Sequence, residues 1–319
     1  MKKGTLYTLA LLLLPALFFV GCKKDLTLKK LSSTDSLKTD SATRHGTVST
    51  VINGLYDWIA ADNSGNIYAL NNNFGTDTIY KIDSLGHRSF FYTPPITMDH
   101  DTAVINTMGC LTVDSLGNLY TVAYRGNKPL NVIKITSAGS GAVILNGITP
   151  GGGSQVEKIA VNQGNFYFSN NLGVHEITAG GSSSVILNNI SIFTVNRDGV
   201  LYYPVISGSG QVNLGQLSAF GTKYTFTNIT LDDVVDITND KAGNLYTSET
   251  TTNNHAEIHA INYAKTKKVT IISSAFGHVD GPVATAKIGV AFSLVTNSSG
   301  SLYFSEITGN PHDIRRISF

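Results

Sequence analysis

Short apolar runs alternate along the chain with one recurring polar turn. The turn begins with Asn or Asp, passes through Gly and opens onto an apolar–Tyr pair. It occurs as Asp62–Tyr68, Asp114–Tyr120, Asn162–Tyr167, Asn196–Tyr202, Asp240–Tyr246 and Asn297–Tyr303. Asn or Asp starts a turn with its own side chain, Gly supplies positive φ, and the apolar–Tyr pair begins the returning strand, so each unit predicts a hairpin. The tyrosines are 52, 47, 35, 44 and 57 residues apart. A period of roughly 40–50 residues with four short strands per unit predicts propeller blades.

Other runs supply the remaining strands. An apolar segment precedes each turn, as in Ile59-Ala-Ala, Leu111-Thr-Val and Leu294-Val-Thr. A third strand follows, as in Thr78–Ile82, Asn131–Ile135, Ile258–Ile261 and Ile314–Ile317, with Gln216-Leu217 the irregular counterpart in the fourth unit. Fourth strands are expected at Ala142–Leu145, Ser184–Leu187 and Val269–Ile272. Segments such as Leu302-Tyr303-Phe304 are apolar on both faces, as a blade between two other blades requires. The last unit stops after its third strand. Thr47–Ile52, which precedes the first unit, is expected to pair beside Ile314–Ser318 and close the ring, removing an open sheet edge. The expectation is therefore an all-β, six-bladed propeller over residues 46–319.

Asp280-Gly281, Ala284, Ala286, Leu294, Gly300, Leu302-Tyr303 and Ile314-Arg-Arg-Ile317 resemble the NHL repeat, a propeller-forming unit. The sequence departs from that pattern at Ile288, Ala291, Ser293 and Asn297, and the fourth unit lacks Gly-Asn. The resemblance implies a closed propeller. For function it implies either a binding module or, as the alternative, a lyase- or lactonase-type enzyme with a divalent metal at the channel mouth.

The N-terminus adds an address. Lys2 and Lys3 precede an apolar run from Leu6 to Val20, shorter than the ~20 residues of a comfortable span. Phe19-Val20-Gly21-Cys22 resembles the lipobox of bacterial lipoproteins, which implies cleavage after residue 21, a diacylglyceryl group on Cys22 and an amine-linked acyl chain such as palmitate. Several acyl chains hold a membrane stably where one does not. Lys23-Lys24-Asp25 resembles the charged start of surface lipoproteins in Bacteroidetes, and residues 22–45 read as a flexible tether. The chain is thus expected in the cell envelope, lipid-anchored to the outer membrane, as a monomer.

Composition narrows the chemistry. The 319 residues carry a net charge of +1 with 14% charged residues. That argues against nucleic acid, which needs a basic face. The two cysteines, Cys22 and Cys110, leave no intramolecular disulfide if Cys22 is acylated, and Cys110 in an apolar strand reads as core.

Propeller topology brings starts of first strands and ends of second strands to one face. Asp57, Trp58, Glu157, Lys158 and Asp236 are the expected strand starts. Asn71, Tyr124, Arg125, Asn170, Glu249 and Glu306 are the expected ends. Trp58, the sole tryptophan, beside acids, amides and cations suits a protein or glycan ligand; alternatively these groups line a water-filled channel. His255, Glu257 and His259 share one strand face, as a zinc site would need, but Lys81, Lys134 and Arg315 at equivalent places favour exposed polar positions. Asp99-His100-Asp101 is expected in a loop. No nucleophile elbow, phosphate loop or paired-cysteine metal motif is present, and Gly151–Ser154 is a turn without a following helix. No catalytic residue, metal or cofactor is expected.

Overall fold

Asp62 shows how the repeated turn builds itself. Its carboxylate accepts hydrogen bonds from Ser64 N (2.8 Å), Asn66 N (2.9 Å), Asn66 Nδ2 (2.7 Å) and the Tyr68 hydroxyl (3.1 Å). Gly65 sits at φ +86°, where a side chain would be strained. Asp114 and Asp240 repeat the arrangement with Asn118 and Tyr120, and with Asn244 and Tyr246. At Asn196 and Asn297 the amide oxygen still accepts the backbone N–H groups of the turn.

These turns assemble into blades. The computed structural model describes residues 46–319 except 72–76, 95–96, 100–101, 105–106, 126–127, 149–155, 179–181, 209 and 308–311; Cys22 lies outside the described residues. All the secondary structure there is strand. Blade 1 runs Tyr56–Ala61, Ile67–Asn71, Thr78–Ile82, Arg88–Tyr92; blade 2 Thr107–Val113, Leu119–Arg125, Lys128–Ile135, Gly141–Ile148; blade 3 Lys158–Asn162, Asn165–Asn170, Gly173–Ile177, Ser183–Asn188. Blade 4 runs Thr194–Val195, Leu201–Ile206, Val212–Leu217, Lys223–Leu231, and blade 5 Asp233–Asn239, Leu245–Thr250, His255–Ile261, Lys268–Ala275. Blade 6 is Val290–Thr296, Leu302–Ile307 and His312–Ser318, completed by Thr47–Ile52 from the other end of the chain. Every ladder is antiparallel, and Thr47 pairs with Ser318 and Val48 with Ile317. The expected ring closure is present. A two-residue strand, Gly281–Pro282, extends blade 6 by pairing with Thr47 and Val48.

Burial follows the seams between blades. Six apolar clusters are formed by the described residues, each joining neighbouring blades; Phe304 packs toward blade 5 and Tyr303 toward blade 1. That is why middle strands are apolar on both faces.

Two places differ from the sequence expectation. Thr97–Asp99 pairs with Thr102–Val104 in the connector between blades 1 and 2. Asp99 ends the first of these short strands, and residues 100–101, the rest of the expected Asp99-His100-Asp101 loop, lie outside the described residues. Blade 4 has an inner strand of only two residues, Thr194–Val195. Pro204 occupies the place of Ser169, whose backbone faces the inner strand and accepts Glu157 N (2.9 Å). Proline has no N–H to offer there, so the ladder shortens.

Candidate functional site: the mouth of the central channel

The inner strands do not run straight into the channel. The pairing register shifts at Asp57 in blade 1, at Cys110 in blade 2, between Val234 and Asp236 in blade 5 and between Ala291 and Ser293 in blade 6. In blade 3 Glu157 and Lys158 both face Ser169. A bulge inserts one residue and re-aims the next side chain. The residues just past the bulges, Trp58, Leu111, Lys158, Asp236 and Ser293, therefore form one layer around the axis, and all five line a single cavity of about 210 Å³.

That layer is two-sided. Trp58 stands on the blade 1 side, half-buried, with Phe292 of blade 6 edge-on at a centroid distance of 4.9 Å. On the other side Lys158 of blade 3 reaches past blade 4 to blade 5. Its ammonium pairs with Asp236 Oδ1 and donates to Ile237 O (2.7 Å). Asp236 is 4% exposed. Its remaining lone pairs accept Ile237 N (2.8 Å) and Leu294 N of blade 6 (2.7 Å). One carboxylate thus ties blades 3, 5 and 6 together. Deeper in the channel the Thr194 hydroxyl donates to Asn239 Oδ1 (2.8 Å) and the Thr296 hydroxyl to Asn239 O (3.0 Å). Cys110 donates to Val156 O (3.4 Å), and burial pushes its thiol well above the ordinary value. It is a core thiol without thiolate reactivity.

The residues expected at the mouth do not all meet in the channel. Trp58, Lys158 and Asp236 meet in the cavity. Asp57 and Glu157 sit at the bulges above it; Asp57 Oδ1 is 2.5 Å from His312 Nδ1 of blade 6, and Glu157 is exposed. Asn71, part-buried, ends its strand opposite Tyr56. Tyr124 and Arg125 end the second strand of blade 2, and their side chains lie outside the described residues.

Asn170, Glu249 and Glu306 end second strands as expected but are buried between blades, not turned into the channel. Asn170 Oδ1 accepts Leu172 N (2.9 Å) and Gly173 N (3.3 Å), shaping its own hairpin. Glu249 accepts Asp232 N, Lys268 Nζ (both 2.7 Å) and the Thr247 hydroxyl (2.5 Å). Glu306 accepts Gly289 N, Arg315 Nη1 (2.6 Å) and an interaction with His278 Nδ1 (3.1 Å). Both glutamates hold the connector that enters their own blade.

The third-strand residues also depart from the surface expectation. Glu257 and His259 are turned inward beside Glu249, while His255 is part-exposed. Burial pushes the His259 imidazole below its ordinary value against the opposing pull of Glu249. Arg315, expected as an exposed polar residue, is fully buried. Among the described residues no three His, Cys, Asp or Glu converge as metal ligands.

Phe292, Ser293, Thr194, Asn239 and His312 belong to the site but were not singled out from sequence. Strand alignment alone would have assigned Ser293 to the layer once the bulges were known, and nothing in the sequence marks a bulge.

No protein-family model matches the chain and no curated protein matches it in sequence. Solved structures do match in shape. A Bacteroides thetaiotaomicron protein of unknown function superposes with a TM-score of 0.63 at 14% identity, over 86% of this chain and 76% of that one. A streptogramin B lyase gives 0.53 at 14% identity, over 86% and 98%. A putative gluconolactonase gives 0.55 at 11% identity, over 86% and 92%. At such identities the likeness establishes the fold alone: this chain is a six-bladed β-propeller, an architecture that it shares with enzymes and with proteins of unassigned role.

Proposed function

We propose that this protein is a cell-envelope lipoprotein, anchored in the outer membrane through Cys22, whose NHL-type propeller binds one residue of a glycan or peptide at the channel mouth. The observation that supports the binding site is the two-sided layer. An aromatic wall, Trp58 with Phe292 packed behind it, faces a charged pair, Lys158 with Asp236; Trp58, Lys158 and Asp236 line one cavity. A flat apolar face and a polar edge on one ligand group, as in a sugar ring or an aromatic side chain, match those walls. The cavity of about 210 Å³ runs along the inner strands, from Trp58 to Ala61 and from Ser293 to Thr296, and even so is below the ~300–1,000 Å³ of a pocket that swallows a drug-sized molecule. It suits a single residue of a longer ligand lying across the mouth, where Asp57, Glu157 and His312 are placed to meet its flanks.

Binding is favoured over catalysis because of how the polar groups are occupied. Asp236 is paired with Lys158 and holds two backbone N–H groups, and at 4% exposure this occupied, buried carboxylate is better suited to holding the layer together than to taking a substrate proton. A stoichiometric metal found by elemental analysis of the purified protein would reverse this preference in favour of a lyase- or lactonase-type enzyme.

Titration of Trp58 fluorescence with glycans and peptides tests the site. Binding should change the emission, Trp58→Ala should weaken binding by about 2 kcal/mol or more if the ring is a central anchor, and Asp236→Asn should weaken it as well. Lys241→Ala, in a turn at the far end of the ring, should leave binding unchanged. Normal binding by Trp58→Ala would remove the channel mouth as the site. Cys22→Ala should release the protein from membranes or leave its precursor uncleaved; unchanged fractionation and migration would remove the anchor.

A further inference from the structure

The end of the ring opposite the mouth, where the repeated turns lie, has its own surface chemistry. Its outer hairpins carry apolar tips: Leu85 in blade 1 (79% exposed), Phe220 in blade 4 (96%) and Tyr263 in blade 5. Leu116 adds an inner turn of blade 2. Leu85, Leu116 and Phe220 each stand just before a glycine at φ +87°, +81° and +82°. Such turn positions favour polar residues, and tips this exposed contribute little to the core. In blade 6 the equivalent place has no hairpin. It is occupied by exposed Phe319 and by the entry of the chain at Gly46, because Thr47 pairs with Ser318.

The mouth end also exposes apolar side chains, Ile206 and Leu172, so charge is what separates the two ends. The turn end exposes Arg197, Lys223, Lys241 and Lys267 against Asp198 and the part-exposed Asp83. Its other aspartates, Asp62, Asp114 and Asp240, point inward onto their own Asn and Tyr partners. Among the described side chains the mouth end exposes Glu157, Asp232 and Asp233; Arg125 also ends a strand there, its side chain outside the described residues.

We propose that the turn end is seated on an anionic lipid surface, so that the channel mouth faces away from the membrane. Isolated aromatic and leucine tips insert to headgroup depth, and the lysines and arginine beside them meet lipid phosphates. The acidic mouth end would be repelled by the same surface. The chain enters the ring at the seated end, which lets a short tether reach the bilayer without crossing the mouth. This rests on the envelope anchor proposed above for how the protein reaches a membrane, but not for which end faces it.

The mature full-length protein, reconstituted in vesicles with bromine-labelled phosphatidylglycerol, tests the orientation. Phe220→Trp and Leu116→Trp place probes at the turn end. Ile206→Trp, exposed at the end of strand Leu201–Ile206, places one at the mouth end. After subtraction of the Trp58 signal, the first two should lose most of their emission and the third should keep it. Equal quenching, reversed quenching or no quenching at Phe220→Trp and Leu116→Trp overturns the proposal; absence of quenching is also what seating on a protein partner would give. The mass of the N-terminal peptide from the same samples reads acylation separately. An acylated protein with unquenched turn tips rejects the orientation and keeps the anchor, whereas an unacylated protein with quenched tips does the opposite.

Discussion

Blades 5 and 6 bury a glutamate at the same position and give it the same task, with different consequences. Glu249 and Glu306 each follow the turn tyrosine by three residues, and each accepts an N–H from the connector entering its blade, Asp232 and Gly289 respectively. In blade 5 the compensating cation is Lys268 on the outer strand, partly open to solvent at 18% side-chain exposure. In blade 6 it is Arg315 on the third strand, fully buried. Arg315 also donates to Lys287 O (3.0 Å) and to Asp280 Oδ1 (2.8 Å). Asp280 in turn accepts Thr50 N (2.8 Å) and the Thr50 hydroxyl (3.1 Å) on the closing strand. One guanidinium therefore joins a blade, a connector and the strand that closes the ring. A lysine has three donors on one ammonium but lacks the planar fork that holds well-separated acceptors in fixed geometry. The lesson is that the blade assembled from both chain ends carries the more extensive polar centre.

The largest expected effect comes from removing that closure. Deletion of Gly46–Gly54 leaves the third strand of blade 6 as an open edge and strips Thr50 from Asp280. Aggregation or a clear fall in melting temperature should follow; an unchanged melting temperature would mean that blade 6 does not depend on its borrowed strand. Next is Arg315→Met. It leaves Glu306 buried without its cation and should cost about 3–5 kcal/mol in denaturant unfolding. Lys268→Met should cost less, about 1–3 kcal/mol, because the lost cation is nearer solvent. Equal costs for the two variants would erase the distinction between the blades.

The same pair differs in acid sensitivity. His259 is held below the ordinary imidazole value by burial, so the unfolded chain takes up its proton first. The stability it contributes is present above about pH 6.5 and is lost as pH falls through the folded value. Arg315 stays charged throughout that window. His259→Gln should flatten the decline in melting temperature between about pH 7 and pH 5, while Arg315→Met should lower the whole curve without flattening it. Parallel curves for wild type and His259→Gln would remove blade 5 as the acid-sensitive centre.

The smallest effect should come from the turns. Blade 5 has Asp240, Asn244 and Tyr246 in one network, whereas blade 6 has Asn297 and Ser301 before Tyr303. Asn297→Asp with Ser301→Asn should copy the blade 5 turn into blade 6 and stabilise by about 0.5–1.5 kcal/mol, the worth of an added hydrogen bond or two. No gain would show that the two turns are equivalent in strength.

Much of the architecture was legible because its signals are local. The six turns, the positive-φ glycines and the doubly apolar strands each need only a few adjacent residues. Thr47–Ile52 could be matched to blade 6 because a unit lacking its fourth strand has one natural place for an orphan strand. The site was less legible. Trp58, Lys158 and Asp236 could be placed near the mouth from strand order. Which neighbours they would meet depended on register shifts at Asp57, Cys110 and Glu157, and a bulge leaves no compositional mark.

The sequence by itself therefore determined the number of blades, the closing strand and the end of the ring where the mouth lies, since hairpin chemistry and hydrophobic period act over short distances. Tertiary structure decided which polar residues are available there. Glu249 and Glu306 are as acidic in sequence as Asp57 and Glu157, yet the seams between blades turn the first two onto backbone N–H groups and buried cations. Asp236 meets Lys158 only because the ring brings blades 3 and 5 together across the channel, beyond a shortened blade 4. An unpaired buried charge is costly, so each carboxylate drawn into the interior takes the donors that packing provides, and those donors come from strands far away along the chain.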